Sequence, residues 1–199
     1  MREQLWSLVL FAMAVTFTPG PNVVLVTACA ANFGFRLVIP QMLGITVTFG
    51  LMAVASGLGV AGIVQTEPRV HLVLKYLGAA YLLYLAWRIG SARGGGSAAA
   101  QSRPITAIEA SIFTGLNPKA WVSVLGAVAA YSTVGGHMLI ETMLIAGILA
   151  ISCLLSCIVW AGFGTAIGRF LDRPGARRAF NGFMAGLLAL SLVPLLLHG

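Results

Sequence analysis

The chain's first long apolar run is interrupted by Thr18-Pro19-Gly20-Pro21-Asn22. Each proline removes a backbone donor and clashes with the preceding helical turn, and Gly20 permits backbone conformations that other residues avoid. A helix that begins before this stretch must therefore break here. Because apolar residues resume directly after it, we predict a helix that is broken within one long apolar segment.

The composition indicates an integral membrane protein. Of 199 residues, 59% are hydrophobic and only 9% are charged, which leaves too few polar side chains to coat a soluble globule. The apolar stretches are helix-sized and lack the alternating segments of about ten residues that outer-membrane barrels show. We therefore predict one all-α transmembrane domain over residues 1–199. Since unpaired backbone groups are tolerated at membrane depth only beside protein or a wet cavity, the break is expected to border a site.

The apolar segments predict six membrane-spanning helices, of which helices 1 and 4 are broken. Each segment is long enough for a hydrocarbon core of about 30 Å at about 1.5 Å per residue. We expect the first segment to be retained and not cleaved as a signal peptide, because the proline-rich break precedes the cleavage-like sequence. The predicted helices are about Leu5–Ala31, Leu37–Val64, Val70–Ile89, Ile105–Ser132, Glu141–Ile167 and Arg178–Leu197.

A polar and small-residue linker, at about 91–104, divides the chain into two halves. Repeat 1, at about 1–90, and repeat 2, at about 105–199, would each carry three helices. An odd number of spans makes the second half enter the membrane from the opposite face, which is an inverted-topology repeat. The second half has its own interruption in its first helix, at Asn117-Pro118-Lys119. Paired broken helices at corresponding positions are typical of a transporter's binding site.

The cations are distributed unevenly between the predicted loops. Eight arginines fall in or beside the loops after helices 1, 3 and 5, against three cations on the opposite side. The positive-inside rule then places the eight in the cytoplasm and both termini in the periplasm. The net charge of +7 is scattered over helix ends and not gathered on one face with aromatic residues. The expected surroundings are therefore membrane lipid, and no nucleic acid partner is predicted.

A broken helix exposes amides at the start of its second half and carbonyls at the end of its first, with partial charges of opposite sign. A zwitterionic amino acid needs both. We predict that freed amides near Asn22 or Asn117 hold its carboxylate and that carbonyls around Thr18 or Gly115 hold its ammonium. The alternative is that the prolines only kink the helices and the asparagines replace the lost hydrogen bonds. The predicted helix-break residues are Pro19, Gly20, Pro21 and Pro118.

Lys119 is predicted as a further substrate contact, because an ionised side chain inside a span costs at least about 2.5 kcal/mol. Two interpretations stay open: Lys119 attracts a carboxylate or titrates, or its long side chain extends to the cytoplasmic surface. The acidic and histidine residues fall at or near helix ends, which disfavours strongly cationic substrates. Enzyme motifs such as HExxH and GxSxG are absent from the sequence. We predict no enzyme activity, no metal and no cofactor.

With these motifs the chain resembles the LysE/RhtB family of bacterial amino-acid exporters. The resemblance implies efflux across the bacterial inner membrane, driven by the proton gradient. Its pattern is most similar to the branch that exports cysteine and O-acetylserine, with threonine and homoserine exporters next. The matching motifs are Thr18-Pro19-Gly20-Pro21-Asn22, Gly34-Phe35-Arg36, residues 75–82 in helix 3, and Asn117-Pro118-Lys119-Ala120-Trp121.

We therefore predict a six-helix secondary exporter of small neutral amino acids that works by proton antiport. A passive channel or a structural membrane protein is the alternative. The glycines of helix 2 allow close backbone approach to neighbours, which suits either a homodimer or an internal contact.

Overall fold

The computed structural model describes residues 2–59, 68–91, 103–132, 137–171, 173–191 and 193. This part of the chain is helical and contains eight α-helices, which confirms the all-α prediction. A short 3-10 turn at Arg36–Val38 joins the second helix to the third. The helices are α1 (Arg2–Phe17), α2 (Pro21–Phe33), α3 (Ile39–Gly57), α4 (Pro68–Gly90), α5 (Ala107–Gly115), α6 (Pro118–Tyr131), α7 (Met138–Gly168) and α8 (Pro174–Leu190).

Length and hydropathy identify the helices that can cross a membrane. Arg36–Gly57 and Met138–Gly168 each qualify alone. A third candidate span consists of α1 and α2 together, which are bent by 57° at the break between them. The other described helices do not meet the same criteria, so the count of six spans stays a prediction.

Proline and glycine positions account for the helix boundaries that differ from the predicted ones. Predicted helix 2 was to continue to Val64, but α3 ends at Gly57, and Gly59 follows with a φ of 82°, a left-handed conformation that ends helices. Predicted helix 6 was to begin at Arg178, but α8 begins at Pro174, whose fixed φ suits the first helical turn. The predicted end of helix 6 and most of the linker lie outside the described residues.

Helix α7 lies at the centre of the described bundle, where it packs against α1, α2 and α3. Helix α3 also contacts α5 and α6, and α4 packs against α8. The glycine-rich face of predicted helix 2 makes internal contacts: a β-carbon on Gly44 would overlap the backbone of Ala107, and one on Gly57 would overlap the side chain of Thr142. Helices of the two halves therefore pack directly against each other.

Glu109 connects α5 to α4 through a charged cluster. Thr106 and Glu109 form a capping box at the start of α5, as expected for a carboxylate in the first helical turn. The Glu109 Oε1 atom also accepts hydrogen bonds from Arg88 Nη1 and from Arg103 Nη2, at 3.0 Å each. The Arg88 side chain is only 12% exposed. The sequence did not indicate these ion pairs, because they depend on the packing of α4 beside α5.

Glu109→Gln is expected to lower the free energy of unfolding by about 1.5–3 kcal/mol, the usual value of a hydrogen bond to a charged group. Glutamine can still serve in the capping box. The loss of unfolding free energy therefore measures the contribution of the ion pairs. Thr106→Ala is the matched variant: it removes the cap, at about 1 kcal/mol, and keeps Arg88 and Arg103 paired. Thermal unfolding in detergent compares them. A Glu109→Gln protein as stable as the parent would contradict a structural role for the cluster.

Candidate functional site

The first break separates α1 from α2 and leaves backbone groups without helical partners. The Thr18 side chain and amide both bond to the carbonyl of Ala14, at 2.6 and 3.1 Å, which finishes α1. Gly20 is extended, with a φ of −164°, and precedes Pro21, the first residue of α2. No side chain caps α2. The first amides of α2 and the last carbonyls of α1 therefore face the break.

The second break, between α5 and α6, is closed by its own side chains. The Asn117 side chain is the cap of α6, accepting a hydrogen bond from the Lys119 amide at 3.1 Å. The Gly115 carbonyl accepts a hydrogen bond from the Trp121 indole at 2.8 Å. Asn117 thus replaces a lost backbone hydrogen bond, as in the alternative of a simple kink, and the Gly115 carbonyl already has one partner. Pro118 is the first residue of α6.

Trp121→Phe is expected to destabilise the second break by about 1–3 kcal/mol, because the Gly115 carbonyl then loses its partner. Trp160→Phe is the matched control, since the buried Trp160 indole nitrogen has no hydrogen-bond partner among the described residues. Chemical unfolding followed by circular dichroism compares the two variants. Equal stability for both would show that the Trp121 hydrogen bond does not hold the break.

Lys119 joins the two breaks. Its Nζ atom donates a hydrogen bond to the Thr18 carbonyl and lies 3.4 Å from the Pro19 carbonyl oxygen. These contacts span about a hundred residues of sequence and connect α6 to the end of α1. The side chain lies across the first break and is partly exposed, so the choice between the two interpretations of Lys119 stays a prediction.

A cavity of about 40 Å³ lies between the breaks, lined by residues of α1, α2, α3, α6 and α7 and of the first break. Six of the predicted site residues line it, while Pro19, Gly115 and Pro118 do not. The six are Thr18, Gly20, Pro21, Asn22, Asn117 and Lys119.

Helix α7 supplies lining residues that the sequence analysis did not single out as site residues. Cys153, Ser156 and Cys157 lie one helical turn apart and face the cavity. The Ser156 hydroxyl donates a hydrogen bond to the Thr16 carbonyl at 2.8 Å, which ties α7 to α1. The cysteines with serines beside them in helix 5 were the available signal, but nothing in the sequence placed them opposite the first break.

The cavity is lined by a positively charged hydrogen-bond donor and by a neutral hydrogen-bond acceptor. The Lys119 ammonium is the charged group among its lining residues, which include no carboxylate and no histidine. Asn22 Oδ1 is buried without a hydrogen-bond partner among the described residues. A buried acceptor without a partner costs about 1–3 kcal/mol, so Asn22 is poised to accept a donor. The described residues contain no cluster of three or more side chains suited to a metal ion.

A second, smaller cavity of about 20 Å³ lies at the other end of α2. It is lined by Cys29 and Asn32 from α2 and by Arg88 and Arg103 of the charged cluster. Asn32 donates a hydrogen bond to the Asn181 side chain at 2.7 Å, which links α2 to α8. Helix α2 therefore runs between two polar regions.

Long apolar helices around a cavity at a helix break define a helical membrane protein. The chain belongs to the LysE type translocator family, whose sequence pattern matches residues 13–198. This confirms the predicted family. Members of this family are transporters and not enzymes, and the apolar helices fit a multi-pass protein of the inner membrane.

Individual relatives match over parts of the chain. An uncharacterized membrane protein of Pseudomonas aeruginosa is 38% identical over 45% of this chain and 40% of its own length. A cysteine/O-acetylserine efflux protein of Klebsiella pneumoniae is 30% identical over 42% of each chain. A leucine efflux protein of Enterobacter sp. is 28% identical over 58% of this chain and 57% of its own. The chain thus covers 40–57% of the length of these relatives, and no solved structure matches it.

Proposed function

We propose that this protein is a secondary exporter of small neutral amino acids whose substrate site is the cavity between the two helix breaks. One observation carries the proposal: Lys119 of the second break reaches the carbonyls of the first break across a cavity that both breaks line. A helix break at a central cavity is how many secondary transporters present backbone groups to a substrate. Two relatives, named for efflux of cysteine and O-acetylserine and for efflux of leucine, support the same class.

The geometry favours the first break for both ends of a zwitterion. The start of α2 has no side-chain cap, so the amides near Asn22 are open to a carboxylate, and the helix dipole favours an anion there. The end of α1 presents the Thr18 carbonyl, and Asn22 Oδ1 adds an acceptor without a partner. The Asn117 side chain already caps α6, so its proposed role is to shape the cavity and not to bind the substrate. A lining without carboxylates suits a neutral amino acid better than a cationic one.

The proposed topology is six spans in one domain, arranged as two inverted repeats, with both termini in the periplasm. The placement of a broken helix at the start of each half supports it, as does the excess of arginines on one side. Under this topology the Arg88–Glu109 pair closes the cytoplasmic end. The Ser7–Tyr131 hydrogen bond, 2.9 Å long, joins α1 to α6 at the periplasmic end. Alternating access then requires these two contacts to open in turn.

Efflux from proteoliposomes tests the proposal. Vesicles are loaded with a panel of labelled amino acids, and their release is measured with and without a pH gradient. Saturable, gradient-dependent release of a few neutral amino acids is expected. Asn22→Ala is expected to slow that release at least about tenfold, because one hydrogen bond to a charged group contributes about 1.5–3 kcal/mol.

The control variant is Gly147→Ala, since a β-carbon there meets no described atom within 4 Å. It should transport like the parent. Unsaturable release that ignores a protonophore would instead support the passive channel. If a folded and correctly oriented protein moves none of these amino acids, export is refuted. The alternative of a structural membrane protein then remains.

A further inference from the structure

We infer that Lys119 occupies the subsite of the substrate's ammonium group, so that a protonated Lys119 and a bound amino acid exclude each other. The inference rests on the proposed function and gives its site a coupling device. A lysine ammonium and an α-ammonium are the same kind of group, with three donors and no acceptor. The Thr18 and Pro19 carbonyls that hold Lys119 Nζ are those that a substrate ammonium would seek at the end of α1.

The available space supports mutual exclusion. The Lys119 side chain already fills the space beside the Thr18 and Pro19 carbonyl oxygens, with Nζ within hydrogen-bond distance of the Thr18 oxygen. Lys119 also lies directly over the first break, because a β-carbon on Gly20 would come within 2.7 Å of Lys119 Cδ and 2.8 Å of Nζ. A substrate therefore fits beside Thr18 only when the lysine side chain has left.

The charged and titratable groups around Lys119 explain why its side chain leaves the Thr18 carbonyl when a substrate arrives. The titratable groups that face it across the cavity are the Cys153 and Cys157 thiols of α7. The break and α2 contribute Thr18 and Asn22, α6 contributes Asn117 and Ser123, and α3 contributes apolar side chains. No carboxylate among these described residues offsets a second cation. An arriving α-ammonium and the Lys119 ammonium would repel each other at one pair of carbonyls.

Loading therefore releases a proton. In the cytoplasm-facing state, the Lys119 ammonium gives one proton to water, and the neutral amine turns away from Thr18. The substrate ammonium then takes the carbonyls and the open acceptor of Asn22. After the substrate leaves on the other side, the amine regains one proton there and returns to Thr18. Each cycle moves one amino acid out and one proton in, without any carboxylate in the membrane.

Proton release on binding is the first test. The purified full-length protein in weakly buffered detergent receives O-acetyl-L-serine or L-leucine, with a pH indicator dye present. The parent is expected to release about one proton per bound amino acid. Its apparent affinity should rise by up to about tenfold per pH unit between pH 6 and pH 8, where these amino acids keep their charges.

Two variants separate competition from direct binding. Lys119→Met should bind the same amino acids at pH 6 about tenfold more tightly than the parent and release no proton. In proteoliposomes it should still exchange amino acids but no longer respond to a pH gradient. Lys119→Arg, which stays charged, should bind at least about tenfold more weakly. Size-exclusion profiles and melting curves establish that both variants fold.

The opposite pattern overturns the inference. If Lys119→Met loses binding while Lys119→Arg keeps it, the lysine holds the substrate carboxylate. Exchange by the parent with no proton release and no pH dependence refutes the inference alone and leaves the exporter intact. If the parent neither binds nor exchanges any amino acid, the proposed function itself fails. The pH dependence of the parent decides the matter even where a variant does not fold.

Discussion

Gly164→Ala is expected to destabilise the protein by about 3 kcal/mol or more, at the upper end of the cost of overpacking. A β-carbon on Gly164 would overlap the carbonyl oxygen of Thr27 and come within 3.0 Å of its carbonyl carbon and Cα. These atoms belong to the backbone of α2 and cannot turn aside as a side chain can. Either α7 and α2 separate along their length, or the helix bends at this point.

The same close approach recurs one turn later, where Gly168 faces the Ala31 carbonyl. A shift that relieves one contact therefore strains the other. The matched control lies two residues away on the same helix: a β-carbon on Gly162 meets no described atom within 4 Å. Gly162→Ala should be neutral or slightly stabilising, because alanine is the better helix former.

Thermal melting in detergent and the yield of monodisperse protein measure both variants. The packing of α7 on α2 is supported if Gly164→Ala greatly lowers the melting temperature and the yield while Gly162→Ala leaves both unchanged. If the two variants have the same melting temperature, the helices do not approach each other as closely as described.

Gly20→Ala is expected to reduce transport at least about tenfold while the protein stays folded. The extended φ of Gly20, −164°, is open to alanine, so the backbone is not strained. The new methyl group would instead meet Lys119 Cδ and Nζ, the far end of a flexible side chain. It displaces the lysine from the Thr18 carbonyl and narrows the cavity beside it. The methyl group also takes space that a bound substrate needs beside Thr18; overpacking of this kind costs about 1–3 kcal/mol, and about 1.4 kcal/mol of lost binding is already tenfold.

Gly115→Ala is the matched control, because Gly115 is the glycine of the second break and a β-carbon there meets no described atom within 4 Å. Efflux from proteoliposomes, at equal protein content, compares the two variants. The account expects the parental rate for Gly115→Ala and a slow rate for Gly20→Ala, at equal melting temperatures. Full transport by Gly20→Ala would show that the cavity beside Lys119 is not the substrate site.

The local backbone was predictable from the sequence wherever proline or glycine decides it. Both breaks fall where the sequence analysis placed them, since Pro19, Pro21 and Pro118 exclude a continuous helix. Glu109 in the first turn of α5 follows a different local rule, because the helix dipole favours a carboxylate there. The end of α3 was missed, because continued apolar residues hid the effect of Gly59.

The arrangement of the site depends on contacts between distant parts of the chain. Nothing in the sequence indicates that Lys119 meets Thr18, because that contact depends on how α6 packs beside α1. The choice between Asn22 and Asn117 was open for the same reason: only the structure shows that Asn117 caps its own helix. Nothing in the sequence places Cys153 and Cys157 opposite the first break either, because their position depends on how α7 packs against α1.

The most direct test of the central claim, that the substrate binds in the cavity between the breaks, uses the two cavity cysteines. In a Cys29→Ser background, a small membrane-permeant thiol reagent labels Cys153 and Cys157, and mass spectrometry follows the rate at each. The amino acid that the proteoliposomes export fastest is then added at saturating concentration. The account predicts slower labelling of both cysteines, with an amino acid that is not exported having no effect. Unchanged labelling in the presence of a transported amino acid would contradict it.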